Sequence, residues 1–132
     1  MTKASESVPR PTESELELLR ILWENQPATV RDIYDTLNQE RPSGYTTVLK
    51  LLQIMTEKGL TTREAQGQHH VYRPRHAERE TQRRLVADLL ERAFGGSTST
   101  LVMQALAAKR TSPDELREIR RLLTAYQEKE HD

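Results

Sequence analysis

Two short helical patterns follow each other closely near the start of the chain, and each begins with a pair of residues that caps a helix. Thr12 with Glu15 three positions later forms a capping box, and apolar residues at helical spacing continue to about Asn25. Thr29 with Asp32 starts a second, shorter pattern, which ends before a Pro-Ser-Gly turn. Both patterns predict short amphipathic helices.

A third helical pattern and a hairpin pattern come next. The third helix is predicted from about Tyr45 to Lys58, and Gly59 supplies the left-handed residue that ends it. Residues 60–64 and 69–73 contain Thr, Val and Tyr and flank a glycine-containing turn, which indicates a small hairpin.

The predicted order is three helices, of which the last two are joined by a short turn, and then a hairpin. This is the order of a winged helix-turn-helix. We therefore predict a mainly α fold in which residues 12–75 form a winged helix-turn-helix with a small two-stranded wing. Residues 1–11 are polar and contain two prolines, which is typical of a flexible N-terminal arm.

The rest of the chain, residues 76–132, contains three further helical patterns. A long helix is predicted from about Ala77 to Phe94, and the Gly95-Gly96 pair breaks it. The segment from Leu101 to Ala108 is apolar on nearly every side, which a helix half in water cannot tolerate, so it is expected to be buried. Ser112-Pro113 then starts the last helix.

These three helices carry more apolar surface than they can cover for one another at this size. We therefore expect a three-helix dimerisation domain that interlocks with a second copy of the chain. The residues predicted to form this interface are Leu85, Leu89, Leu101, Val102, Leu106, Leu116, Ile119, Leu122 and Leu123.

The net charge of zero conceals an uneven distribution along the chain. Residues 1–40 have a net charge of −4, whereas residues 41–75 hold six basic and two acidic residues, a net charge of +4. The positive segment coincides with the predicted third helix and wing, so this part of the fold is the candidate for meeting a polyanion.

Short polar side chains at the start of a helix in the major groove can approach base edges and phosphates. Around the wing turn, Gly67 lets the backbone come close to DNA, so basic and amide side chains there would position the protein. Trp23 and Tyr34, in contrast, fall in apolar stripes and are predicted to pack in the core. The predicted DNA-binding residues are Arg41, Ser43, Tyr45, Thr46, Thr47, Lys50, Gln53, Arg63, Gln68, His69, His70 and Arg73.

Several function classes lack support in the sequence. The chain has no cysteine, which excludes disulfides, thiolate metal sites and a cysteine nucleophile. No apolar run approaches the roughly 18 to 20 residues that span a bilayer, so we expect no membrane insertion and a cytoplasmic protein.

His69 and His70 are adjacent on a strand and have no acidic partner at ligand spacing, so no metal or other cofactor is predicted. No catalytic constellation is visible, and we predict that the protein is not an enzyme.

The same elements could also form a winged-helix adaptor that binds a protein partner and not DNA. Such an adaptor would have no DNA affinity that falls with salt, whereas a DNA-binding protein would.

Four segments of the chain together resemble the BlaI/MecI/CopY penicillinase repressor family. They are Glu15-Leu16-Glu17-Leu18-Leu19 with Ile21-Leu22-Trp23, Tyr45-Thr46-Thr47-Val48-Leu49-Lys50-Leu51-Leu52, Lys58-Gly59-Leu60 and His70-Val71-Tyr72. The resemblance extends over about residues 12–127 and includes the Phe94-Gly95-Gly96 break and the start of the last helix. It implies a homodimer whose winged helix binds a palindromic DNA operator and blocks transcription.

In better-known members of this family, a membrane metalloprotease sensor triggers cleavage between an Asn and a Phe in the second C-terminal helix. The resemblance implies a regulatory protease or membrane sensor as a partner and a candidate cleavage position at Gln104 and Ala105, which stand at the matching positions. The copper-sensing branch uses a C-terminal cysteine cluster, which this chain lacks. Copper sensing is therefore disfavoured.

Overall fold

The computed structural model of the protein describes residues 7–131, which form six helices and one two-stranded antiparallel sheet. In chain order the elements are α1 (Glu13–Glu24), α2 (Val30–Glu40), α3 (Tyr45–Lys58), β1 (Thr61–Gln66), β2 (His69–Pro74), α4 (Glu78–Phe94), α5 (Thr98–Ala108) and α6 (Pro113–His131). The mainly α winged-helix architecture predicted from the sequence is confirmed. The chain divides into two compact units, residues 1–88 and 89–132, each described here for the residues that the structure covers.

The helix starts of the first unit are set by local hydrogen bonds. Thr12 Oγ1 accepts from the Glu15 N–H at 3.2 Å, and Glu15 Oε1 accepts from the Thr12 N–H at 2.8 Å, so the predicted capping box is formed. Thr29 and Asp32 make the same reciprocal pair at 3.1 and 3.0 Å. Gly59, at φ +86°, ends α3 as the sequence predicts. Helix α1 ends at Glu24, one residue earlier than predicted.

The core of the first unit lies where α1, α2 and α3 meet, and it is closed by the base of the hairpin. Its completely or almost completely buried members include Leu22, Ile33, Leu52 and Tyr72. Strand β1 starts at Thr61, one residue later than predicted, and Leu60 before it is buried in this core.

The loop before α2 fixes the hairpin to this core. Ala28 donates to the Tyr72 carbonyl at 3.1 Å and accepts from the Tyr72 N–H at 2.7 Å, which adds a one-residue bridge beside β2. In the hairpin itself, Thr61 pairs with Pro74 and Gln66 pairs with His69, so the turn consists of Gly67 and Gln68. The wing is therefore attached at its base and extends away from the core.

The end of the predicted arm packs on the first unit. Pro11 is buried, and Arg10 Nη1 lies 3.8 Å from Asp88 Oδ2. The part of the arm at residues 1–6 lies outside the described residues.

A nearly buried carboxylate joins α1 to the end of α3. Lys58 Nζ donates to Glu15 Oε1 at 2.6 Å, and the Glu15 side chain is only 4% exposed. Burial by itself would raise the pKa of Glu15, but the hydrogen bonds from Lys58 and Thr12 and the charge of Lys58 together hold that pKa below its usual value. The folded chain therefore favours the ionised form.

This pKa direction predicts how stability responds to acid. Because the pKa of Glu15 is lower in the folded chain than in the unfolded chain, its contribution is present above the unfolded value and is lost as pH falls through the folded value. Glu15→Gln should lower the free energy of unfolding by about 1 to 2 kcal/mol near neutral pH, because it loses the ion pair. Since Gln does not titrate, this difference should shrink as pH falls below the ordinary glutamate pKa of 4.5 and through the lower pKa of the folded chain. Urea unfolding at several pH values measures it.

The matched control is Glu24→Gln, which removes an exposed carboxylate from the same helix. Its pH profile should follow that of the original chain. If Glu15→Gln loses stability on acidification as steeply as the original chain, the Glu15 interaction does not contribute as inferred.

The second unit contains the end of α4 together with α5 and α6, which are found where the sequence predicts them. Gly95 and Gly96 have positive φ and break the chain after α4. Ser97 Oγ accepts from the Thr100 N–H at the start of α5, and Ser112 Oγ accepts from the Glu115 N–H at the start of α6.

No side chain between residues 89 and 130 is buried. In a single chain Leu101–Ala108 is not buried, because Val102 is 39%, Leu106 is 40% and Met103 is 61% exposed; its burial against a second copy stays a prediction. The end of α4, α5 and α6 therefore form no dry core among themselves. Across residues 7–131, no helix is both long and apolar enough to cross a bilayer.

Candidate nucleic-acid interface

The turn between α2 and α3 is held by one amide side chain. Asn38 Oδ1 accepts from the Ser43 N–H at 3.2 Å, while Asn38 Nδ2 donates to the Ser43 carbonyl at 3.1 Å and to the Tyr34 carbonyl at 2.9 Å. These bonds fix the chain just before Gly44, the N-cap of α3. Gly44 has no side chain to cap the helix, so the first N–H groups of α3 are available to an anion.

Helix α3 separates an inner face from an outer one. Val48, Leu52 and Met55 are fully buried in the core. The other side is exposed, and its N-terminal part, here called the reading face, consists of Tyr45, Thr46, Thr47, Lys50 and Gln53; the exposed Ile54 and Glu57 follow. All five were predicted from the sequence as DNA-binding residues.

An open groove of about 750 Å³, here called the wing groove, lies between the start of α2, helix α3 and the hairpin. Six of the predicted residues line it: Tyr45, Gln53, Arg63, Gln68, His69 and His70. His69 and His70 both line the groove although they are adjacent on β2. The structure thus brings the start of α3 and the wing together on one surface.

The remaining predicted residues are placed around this surface. Thr46, Thr47 and Lys50 are on the outer side of α3, Arg41 and Ser43 are in the turn before it, and Arg73 is on β2 opposite Thr62. Among the residues that the structure describes, no group of three or more His, Asp or Glu side chains could hold a metal ion.

Half of the basic residues in the positive segment are neutralised by carboxylates. Arg41 donates to Glu17 at 2.6 and 3.0 Å, Arg73 pairs with Glu64, and Lys58 pairs with Glu15. Lys50, Arg63 and Arg75 form no ion pair with residues 7–130. The sequence count of +4 therefore overstates the positive charge that is free to meet a polyanion.

The Arg41–Glu17 pair is exposed and can exchange. The hydrogen bond from Arg41 holds the pKa of Glu17 below its usual value, and the same contact raises the pKa of Arg41. Arg41 also donates to Ser43 Oγ at 3.2 Å. Exposed ion pairs contribute little net stability, so a phosphate could replace Glu17 as the partner of this guanidinium.

One arginine of the wing groove was missed by sequence reasoning. Arg31, the second residue of α2, lines the wing groove opposite the hairpin. It lies in the acidic segment of residues 1–40, where counting charge by segment conceals a single basic side chain. The one sequence feature that pointed to Arg31 was its position next to the capped start of α2.

Known proteins resemble most of this chain in sequence, and one of them resembles its winged helix in structure. The family model described as penicillinase repressor matches residues 11–125. The transcriptional regulator BlaI of Mycobacterium tuberculosis is 32% identical over 104 residues, which cover 77% of this chain and 74% of that protein. The penicillinase repressor of Bacillus licheniformis is 19% identical over 125 residues, which cover 95% of this chain and 98% of that protein.

A solved structure shares the fold of the first unit. It is the solution structure of monomeric BlaI from Bacillus licheniformis in complex with the blaP half-operator. The match has a TM-score of 0.50 and 20% identity, and it covers 56% of this chain and 90% of that one.

Proposed function

This chain belongs to the penicillinase repressor family, whose members are transcriptional repressors and not enzymes, and we propose that it is a homodimer that binds a palindromic operator. Its DNA-binding surface is the reading face of α3 together with the wing groove. Its dimerisation surface is formed by the apolar residues of α4, α5 and α6. Bound at a promoter, the dimer blocks transcription, and it does so in the cytoplasm.

The exposed polar face at the start of α3 is the observation that carries the DNA-binding proposal. The buried inner face fixes the helix on the core, and the Asn38 bonds fix the turn before it, so the reading face is presented in one orientation. An α-helix fits the major groove of B-DNA, where each base pair offers a distinct donor and acceptor pattern. Lys50 and Arg63 supply cationic groups for the backbone beside it.

The exposed second unit supports the dimer. Leu89, Leu122 and Leu123 are between 47% and 59% exposed in one chain, in addition to the uncovered α5. Apolar area of this extent on helices without a core is typical of a surface that a second copy covers. A twofold dimer presents two reading faces, so we expect half-sites whose centres are about one helical turn, roughly 34 to 36 Å, apart.

Relief of repression by proteolysis belongs to the same proposal. Gln104 and Ala105 lie within α5 and are exposed in a single chain. Cleavage there would divide the most apolar helix of the proposed interface and would weaken the dimer. A regulatory protease or a membrane sensor would be the partner that starts this step.

The test is a footprint of the purified full chain on the DNA upstream of its own coding sequence, at two salt concentrations, with the mass of the complex measured in parallel. We expect protection of a palindrome by a dimer, with weaker binding at higher salt. If binding depends on neither salt nor DNA sequence, or if no DNA is protected, the repressor proposal is rejected and a protein-binding adaptor is favoured.

A further inference from the structure

Arg31 stands on the wall of the wing groove that faces the hairpin. It shares that groove with Tyr45 at the start of α3 and with Arg63 on β1, both of which belong to the proposed DNA-binding surface. A guanidinium at this place lies beside the reading face and not on it. It is therefore placed to contact the DNA backbone that borders the major groove. Contacts with backbone phosphates fix the orientation of a protein on the duplex.

Aromatic contacts tie this guanidinium to the start of α3. Arg31 Cζ lies 5.6 Å from the centroid of the Tyr34 ring, within the range of a cation–π contact. The Tyr34 ring in turn meets the Tyr45 ring edge to face, with centroids 5.5 Å apart. The rings thus connect Arg31 to the first residue of α3, so that phosphate and base contacts can be made on one surface.

The charge of Arg31 is available to a ligand. Its side chain is 70% exposed, and its carboxylate partner Asp35 is 3.7 Å away and 58% exposed, which is too far for a hydrogen bond. Arg41, by comparison, makes two hydrogen bonds to Glu17. The acidic residue that shares the groove, Asp32, accepts the Thr29 N–H at 3.0 Å as the cap of α2.

We propose that Arg31 binds a phosphate of the operator backbone and, with Arg63 on the opposite wall, holds one DNA strand along the wing groove. The proposal rests on the proposed function, because it concerns the same DNA. It assigns a positioning role: Arg31 contributes affinity and salt dependence but no sequence preference. A guanidinium suits this role because its planar donors match phosphate oxygens.

The experiment titrates a labelled promoter duplex with the full chain at several salt concentrations and compares the slopes of log affinity against log salt. Each phosphate contact contributes about 0.9 to this slope, so Arg31→Ala should reduce it by about 1.8 when a dimer occupies two half-sites. Arg31→Lys keeps the charge and should retain the slope. Arg20→Ala, which removes an exposed arginine outside the wing groove, should also retain it.

The outcomes distinguish a failure of the Arg31 proposal from a failure of the repressor proposal. If the original chain binds DNA with salt dependence but Arg31→Ala has the same slope, the role of Arg31 is rejected and the repressor stands. If Arg31→Ala changes the ranking of base-substituted promoters, Arg31 reads a base, and the positioning role is rejected. If the original chain binds neither the promoter nor an unrelated duplex, the repressor proposal itself fails. Thermal unfolding of each variant verifies that the fold is retained.

Discussion

Leu106→Asp should convert the proposed dimer into monomers. Leu106 lies in α5, and a dimer that covers this helix would bury an unpaired carboxylate in each of its two copies. At a cost of about 2 kcal/mol or more per copy, the dimer dissociation constant should rise about a thousandfold or more. Sedimentation equilibrium over a range of concentrations measures this change directly, and operator binding should weaken with it.

Ser99→Asp is the matched control, because it adds the same charge to the exposed first turn of the same helix. A carboxylate is favourable near a helix N-terminus, so this variant should remain a dimer. The first unit of Leu106→Asp should be unaffected, and retained thermal unfolding of that unit would exclude general misfolding. A dimer of unchanged strength in Leu106→Asp would place the interface elsewhere.

Lys50→Ala should weaken binding to the operator about a hundredfold. Lys50 is the one cation on the reading face, it is exposed, and it forms no ion pair with residues 7–130. Loss of about 1 to 2 kcal/mol in each of two half-sites corresponds to this factor. Fluorescence anisotropy with the promoter duplex at fixed salt measures it.

Thr47→Ala provides the contrast on the same helix. If the Thr47 hydroxyl or methyl group contacts a base, this variant should change the ranking of base-substituted operators more than it changes overall affinity. Lys50→Ala should affect all duplexes similarly if Lys50 binds phosphate. If neither variant alters binding, α3 is not the DNA-reading element.

Local features of the first unit could be predicted from the sequence because each depends on residues close together in the chain. The capping pairs Thr12–Glu15 and Thr29–Asp32 and the glycine at the end of α3 determine where helices begin and end. The helical period of the apolar residues then predicts which side of each helix is buried. The exposed reading face follows from that period alone.

Contacts between distant residues could not be predicted in this way. The pairing of Arg41 with Glu17 joins positions 24 residues apart, and that of Lys58 with Glu15 joins positions 43 apart. Neither spacing has a sequence pattern. For this reason the sequence overstated the free positive charge. Arg31 was overlooked for a different reason, because it is a single basic residue within the acidic segment of residues 1–40. The exposure of α5 is a related case: its hydrophobicity predicts burial, but a single chain does not contain the second copy that is expected to cover it.

A single oxygen atom serves two helices in the first unit. Glu15 Oε1 accepts both the Thr12 N–H at 2.8 Å and Lys58 Nζ at 2.6 Å. Substitutions at Thr12, Glu15 and Lys58 are therefore thermodynamically coupled, and a double-mutant cycle among them should be non-additive. Changes at the start of α1 would then be constrained, over evolution, by Lys58, the residue that ends α3.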